Sequence, residues 1–126
     1  MGVTYDTGAL MAAAQGLERM WARHEALLEI REIPTVPAPC IAKAWGAGSL
    51  PGQLALLLAG CRVEALDETN VGAVGALASR TGTTDVAAAF VVEGALRRGD
   101  LVVTSDLNEL GIIAASAGLW LEVDLP

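Results

Sequence analysis

The chain is poor in aromatic side chains, in histidine and cysteine, and in positive charge. Aromatic residues make up only 4% of its 126 residues, although hydrophobic residues make up 53%. Such a core is built from Ala, Leu and Val rather than from large rings, and the many glycines point to helices packed closely on a sheet. The length fits one domain, residues 1–126, with a genuine hydrophobic core. The only histidine, His24, lies among charged neighbours in a helical stretch, where a solvated side chain is expected. Without a second histidine a catalytic triad has little support, and Ser49 in "GAGS" has no base assigned to it. Cys40 and Cys61 show no CxxC spacing, so neither a disulfide framework nor a zinc site is expected. Reduced thiols in the cytoplasm are the default, with Cys61 a small core residue. No charge-free apolar run approaches the roughly 18 residues of a membrane span. The opening "MGVTYD" has neither a basic region nor a cleavable hydrophobic segment, so no secretory signal is expected. It starts like a strand rather than like a myristoylation signal.

Eight Lys and Arg against fifteen Asp and Glu give a net charge of -7. That balance argues against a protein that grips nucleic acid through a broad basic surface, where affinity comes mostly from phosphate neutralisation. A nuclease whose acids gather around a cation stays open, as does a basic surface that is local or supplied by a partner.

Short apolar runs alternate with helical stretches along the whole chain. "VTYD" is a strand ending in Asp6, and "TGALMAAAQG" a helix with Thr7 as N-cap. Leu17, Met20, Trp21, Leu27, Leu28 and Ile30 recur at helical spacing, with Glu18, Arg19, Arg23 and Glu25 on the wet side. "IPTVPAP" is a short strand turning into the helix "CIAKAW", and "LPGQLALLLAGC" is a helix closed by Gly60. "RVEAL" is a strand, and "DETNVGAVGALASRTG" a helix led by acids and stopped near Gly82. Thr84 or Asp85 caps a further helix reaching Arg98, "LVVTS" is a strand, "LNELGIIAASAG" a helix and "LWLEV" the last strand. This alternation predicts a three-layer α/β/α sandwich around a mostly parallel sheet of about five strands.

Ligands of open parallel sheets bind outside the carboxyl ends of the strands. Asp6 and Asp106 fall there by position, and Asp85, at the start of a crossover helix, faces the same edge. Three carboxylates on one edge suit a hard cation such as Mg²⁺, which takes oxygen ligands and can activate water for phosphodiester displacement. Each acid also has a structural reading as a helix cap or first-turn acid, Asp106 with Glu109 forming a D-x-x-E capping pattern. "GAGSLPG" lacks both Rossmann and Walker spacing. Trp21, Trp45 and Trp120 are expected as packing anchors. The pairs Arg19/Arg23 and Arg97/Arg98 are expected to be solvated, with RNA phosphate or an acidic partner as the alternative.

"TYDTGALMAA", "TVPAPCIAKAWGAG", "RTGTTDVAAAFVVEGALRRGDLVVTSDLNEL" and "LWLEV" together resemble the PIN-domain proteins, in particular toxins of the VapC type. The similarity runs along nearly the whole chain in the right order, "VVTSD" being its most specific piece. It implies a small α/β/α domain that binds Mg²⁺ or Mn²⁺ through clustered acids. It also implies an RNA substrate, a homodimer and a cognate antitoxin covering the site. Residue by residue, the first family acid matches Asp6 and the last Asp106, while Asp85 matches an accessory acid and Glu109 stands where relatives carry a further one. The second family acid falls at Lys43, the third at Ala88, and an arginine that often follows the Trp falls at Gly46. Residues 85 and 88 lie roughly 60° apart around a helix and about 4.5 Å apart along it, so Asp85 is placed to act through a metal-bound water.

The sequence therefore supports a metal-dependent endoribonuclease, the toxin of a type II toxin–antitoxin pair, with Asp6, Asp85 and Asp106 around Mg²⁺ or Mn²⁺. A catalytically degenerate PIN domain that binds RNA or protein is the alternative, on account of Lys43 and Ala88. A phosphoacceptor signalling domain is disfavoured, because Asp6 stands alone and no lysine follows "TSD".

Overall fold

The computed structural model describes residues 2–48 and 51–126. Ser49 and Leu50, where the fourth helix was expected to begin, lie outside the described residues. Five strands form one sheet: β1 (Val3–Tyr5), β2 (Thr35–Pro37), β3 (Arg62–Glu64), β4 (Leu101–Val103) and β5 (Val123–Asp124). Its order is β3-β2-β1-β4-β5 and every pairing is parallel, with Thr4 beside Thr35 on one side and beside Val102 on the other. The chain thus steps outward from β1 to β3, then returns to the other side of β1 for β4 and β5. Right-handed crossovers convert that reversal into helices on both faces.

The helices are α1 (Thr7–Ala14), α2 (Glu18–Glu29), α3 (Ala38–Gly46), α4 (Pro51–Ala59), α5 (Val71–Thr81), α6 (Val86–Arg98) and α7 (Leu107–Ser116). α1 packs with α2, α3 and α4, while α6 packs with α5, α7 and the three central strands. Strands covered on both faces need apolar side chains throughout. β1 and β2 are accordingly buried at every position, whereas β3, at the edge, leaves Val63 half exposed. The run "VAAAFVVEGALRR" is α6, and Ala87 to Val92 are all buried. Its small residues let the helix lie close on the sheet, and Phe90 fills the gap towards α5 with Val74. Gly82 and Gly99 end α5 and α6 at φ 74° and 71°, the left-handed conformation that glycine adopts without steric cost.

Several local expectations are corrected. Thr7 is the first helical residue, and Asp6 holds the cap position. Asp67 and Glu68 precede α5 instead of leading it, because the Asp67 carboxylate is turned to the Thr69 backbone and hydroxyl. Leu28 and Ile30 are exposed, so the buried stripe of α2 ends earlier than its periodicity suggested. Trp21 packs on the core, its indole N–H donating to the Ala13 carbonyl at 2.9 Å, but Trp45 and Trp120 are 53% and 87% exposed and anchor nothing. Nor is His24 solvated: it is 2% exposed, its Nδ1 lies 2.9 Å from the buried Tyr5 hydroxyl, and Gly60 leaves room for its ring.

The two arginine pairs make structural contacts. Arg19 donates to the Pro126 carbonyl, and Arg23 to Asp124 and the Leu125 carbonyl, fastening the last residues to α2. Arg97 bridges Glu93 and Glu64. Arg98 reaches inward, to Asp100 and Glu64 at 2.9 Å each and to the Thr4 hydroxyl at 2.9 Å, joining α6 to β1, β3 and the start of β4. Asp100 is 7% exposed, and that guanidinium and the Thr4 hydroxyl are its hydrogen-bond donors. Arg98→Met is therefore expected to destabilise the fold by about 3–5 kcal/mol in urea denaturation, the cost of orphaning a buried charge.

Burial holds His24 below its ordinary pKa. Below about 6.5 the unfolded chain takes up a proton at His24 that the folded chain resists, so stability falls as pH drops. The melting temperature of wild type should fall more steeply with acidification below that value than that of His24→Gln, as read by circular dichroism.

Candidate active site

β1 is where the strand order reverses, so the crevice between the carboxyl ends of β1 and β4 is the topological switch point of the sheet. A cleft of about 180 Å³ opens there, its walls including Asp6, Lys43, Asp85, Ala88, Asp106 and Glu109. All three acids singled out from the sequence thus meet in one cleft. A larger hollow of about 680 Å³ lies at Gln15–Arg19, but it is a shallow turn without convergent groups.

Three helices begin at this cleft, and each begins on one of those acids. Asp85 caps α6 through the Ala88 N–H at 3.0 Å, and Asp106 caps α7 through the Glu109 N–H at 3.2 Å. Both are ordinary N-caps, reaching the third helical residue. Asp6 differs. Its carboxylate accepts only from the first N–H of α1, that of Thr7, at 2.7 Å, and is turned away from the rest of the helix. The Thr104 hydroxyl donates to its Oδ2 at 2.8 Å, and the Cys40 thiol lies 3.6 Å from its Oδ1. Burial, followed by the charge of Asp6, pushes that thiol up to about 12. Thr104 is wholly buried and also accepts from the Asp106 N–H at 2.9 Å. One hydroxyl therefore ties the two strand-end acids together, its proton committed to Asp6.

Gly8 makes the approach possible: a Cβ there would meet the Ser105 hydroxyl and lie 2.8 Å from the Ser105 backbone nitrogen. Any side chain at residue 8 would push α1 away from the β4–α7 loop.

Lys43 comes from α3 and points into the cluster. Its ammonium lies 2.9 Å from Asp85 Oδ2. The hydrogen bond to Asp85 raises the lysine pKa, with the charges of Asp85 and Asp6 adding to it, so the group stays protonated. Partial burial alone would raise the Asp85 carboxyl, but the hydrogen bonds from Lys43 and Ala88 outweigh it and the pKa falls. Glu109 moves the other way. A hydrogen bond with Asp106, then burial, then the charges of Asp85 and Asp106 push it up to about 7. The sequence offers Glu109 as a capping partner of Asp106 and as the position of a further family acid, not as one of the site residues; the D-x-x-E spacing is the local signal of this pairing.

Among the described residues no group of three or more His, Cys, Asp or Glu side chains is gathered closely enough to hold a metal ion as it stands. The donor set nonetheless fits a hard cation that keeps its waters. Its accessible donors are oxygens, Asp6 and Asp106 supply the one or two carboxylates such an ion needs, and the rise of the Glu109 pKa, to which the charges of Asp85 and Asp106 contribute, marks a surplus of negative charge.

Raising the pKa of Glu109 in the folded state means that its contribution to stability is full below about 4.5 and is lost as pH rises through about 7. Glu109→Gln should remove that decline, so its melting temperature should exceed that of wild type above pH 7 and match it more nearly in acid.

No protein-family model matches the sequence, and no curated protein sequence does. Solved structures do. A chain in the crystal structure of VapBC2 from Rickettsia felis bound to a DNA fragment from their promoter matches with a TM-score of 0.76 at 13% identity, covering 100% of this chain and 99% of that one. PAE2754 from Pyrobaculum aerophilum matches with a TM-score of 0.62 at 20% identity, covering 92% of this chain and 84% of that one. At these identities the shared property is the fold. With its parallel five-stranded sheet and its acids at the switch point, the chain adopts a VapC-like PIN-domain fold.

Proposed function

We propose that this chain is a metal-dependent endoribonuclease, the toxin of a type II toxin–antitoxin pair. The observation that carries the reading is the convergence of Asp6, Asp85, Asp106 and Glu109 in one cleft at the switch point of a VapC-like PIN-domain fold. A divalent cation, Mg²⁺ or Mn²⁺, would be held by Asp6 and Asp106, with Asp85 at the rim; when bound it supplies a lowered water pKa and charge stabilisation at phosphate. The chain's own residues prepare that place. Thr104 fixes the direction of the Asp6 carboxylate, and Gly8 keeps α1 against the loop that carries Asp106. Glu109, raised to about 7, gives up its proton more readily when positive charge arrives.

RNA is the substrate of this reading, and a cognate antitoxin and a second copy of the chain are its partners. The antitoxin is supported by the likeness to a chain of the VapBC2 complex. Among the described residues no helix is long and apolar enough to cross a membrane, which agrees with action in the cytoplasm. The net charge of -7 fits a nuclease that meets RNA through a bound cation.

One observation favours a second reading. Lys43 holds Asp85, and Ala88, at 5% exposure, contributes no carboxylate, so a PIN-fold module that binds RNA or protein without cutting it is the alternative.

Incubation of a mixed RNA pool with Mn²⁺ separates the two. The nuclease reading expects cleavage that EDTA stops and that Asp6→Asn reduces by about 100-fold or more. Ala88→Asp, which adds a carboxylate to the cleft wall, should increase it. RNA retained intact, with equal binding by wild type and Asp6→Asn, would establish the binding module instead.

A further inference from the structure

We propose that the Lys43 ammonium is a built-in cation that fills the Asp85 side of the cleft, so that the cleft takes a single divalent ion on its Asp6–Asp106 side. The proposal rests on the cation-binding reading above and adds to it the reason why Asp85 is not a ligand.

Both oxygens of Asp85 are already committed. Oδ1 accepts the Ala88 N–H at 3.0 Å and Oδ2 accepts Lys43 Nζ at 2.9 Å. The pair joins two separate crossovers, α3 on one face of the sheet and the start of α6 on the other, so it spans the cleft rather than decorating one wall. The ammonium also feels the charge of Asp6, and Glu109 feels the ammonium, which places this one positive charge amid all the acids. A second divalent ion on that side would meet a fixed positive charge at short range. Asp6 and Asp106 are left out of direct contact with it. Among the described residues neither pairs with a basic side chain, and Thr104 holds them together. Two carboxylates and retained waters are what one Mg²⁺ or Mn²⁺ requires.

Mn²⁺ titration by calorimetry and by the loss of free-ion paramagnetic resonance tests the assignment on four proteins: wild type, Lys43→Met, Asp85→Asn and the double variant. Asparagine is as good an N-cap as aspartate, so α6 keeps its start in the second and third variants. Wild type should take up one equivalent. Lys43→Met, which frees Asp85 and removes the charge, should bind Mn²⁺ about tenfold more tightly. Asp85→Asn releases the ammonium towards Asp6 and should bind about tenfold more weakly. The double variant should bind within about threefold of Lys43→Met, because Asp85 acts only through Lys43. A double variant that binds about tenfold or more weakly than Lys43→Met shows Asp85 acting on the ion directly and overturns the proposal. So does a Lys43→Met protein that binds no better than wild type, including the case in which neither binds. RNA cleavage by the same samples keeps the two readings apart. The expected binding pattern without cleavage sinks the nuclease alone, and cleavage with no response to Lys43→Met sinks the built-in cation alone.

Discussion

Helix N-termini in this fold have to meet at one place. In an all-parallel sheet each connection leaves from the carboxyl edge, so α1 and α7 start beside each other at the point where the strand order reverses, and α6 starts above them. Each start exposes backbone N–H groups without partners and the positive end of a dipole. Carboxylates answer that demand, and the chain supplies Asp6, Asp85 and Asp106. The acidic cluster is therefore stabilised by the architecture itself. Like charges that would otherwise repel share their surroundings with three sets of N–H donors.

This resolves the choice between cap and ligand. Asp85 and Asp106 cap in the ordinary way and still line the cleft, while Asp6 gives up most of its capping to face Thr104 and Cys40. A carboxylate has lone pairs enough for an N–H and for a further partner. The partner differs among the three. It is a lysine at Asp85, a glutamic acid of raised pKa at Asp106, and a hydroxyl at Asp6.

Much of this was legible in the sequence, and what was missed has a common cause. Strand-ending acids, the glycine stop of α5, and the alternation of apolar runs with helical stretches are local signals, and they placed the acids on one edge. Lys43 and Ala88 were recognisable as departures only through resemblance, since nothing in "CIAKAW" tells a reader that its lysine meets a residue of another crossover. His24 was misplaced because its neighbours along α2 are charged, whereas its burial comes from Tyr5 and Gly60, distant in sequence. Arg98 was misjudged likewise, its partners Thr4 and Glu64 lying on two other strands. Trp45 and Trp120 show the reverse error, since ring size alone does not secure a place in a core that Ala, Leu and Val already fill.

Gly8 carries a consequence beyond packing. The distance across the mouth of the cleft is set by how closely α1 lies on the β4–α7 loop, and that closeness depends on the absence of a single methyl group. The two strand-end carboxylates are thus gauged by a residue that bears no chemistry of its own. A drift at that position would leave every acid in place and still spoil the aperture between them.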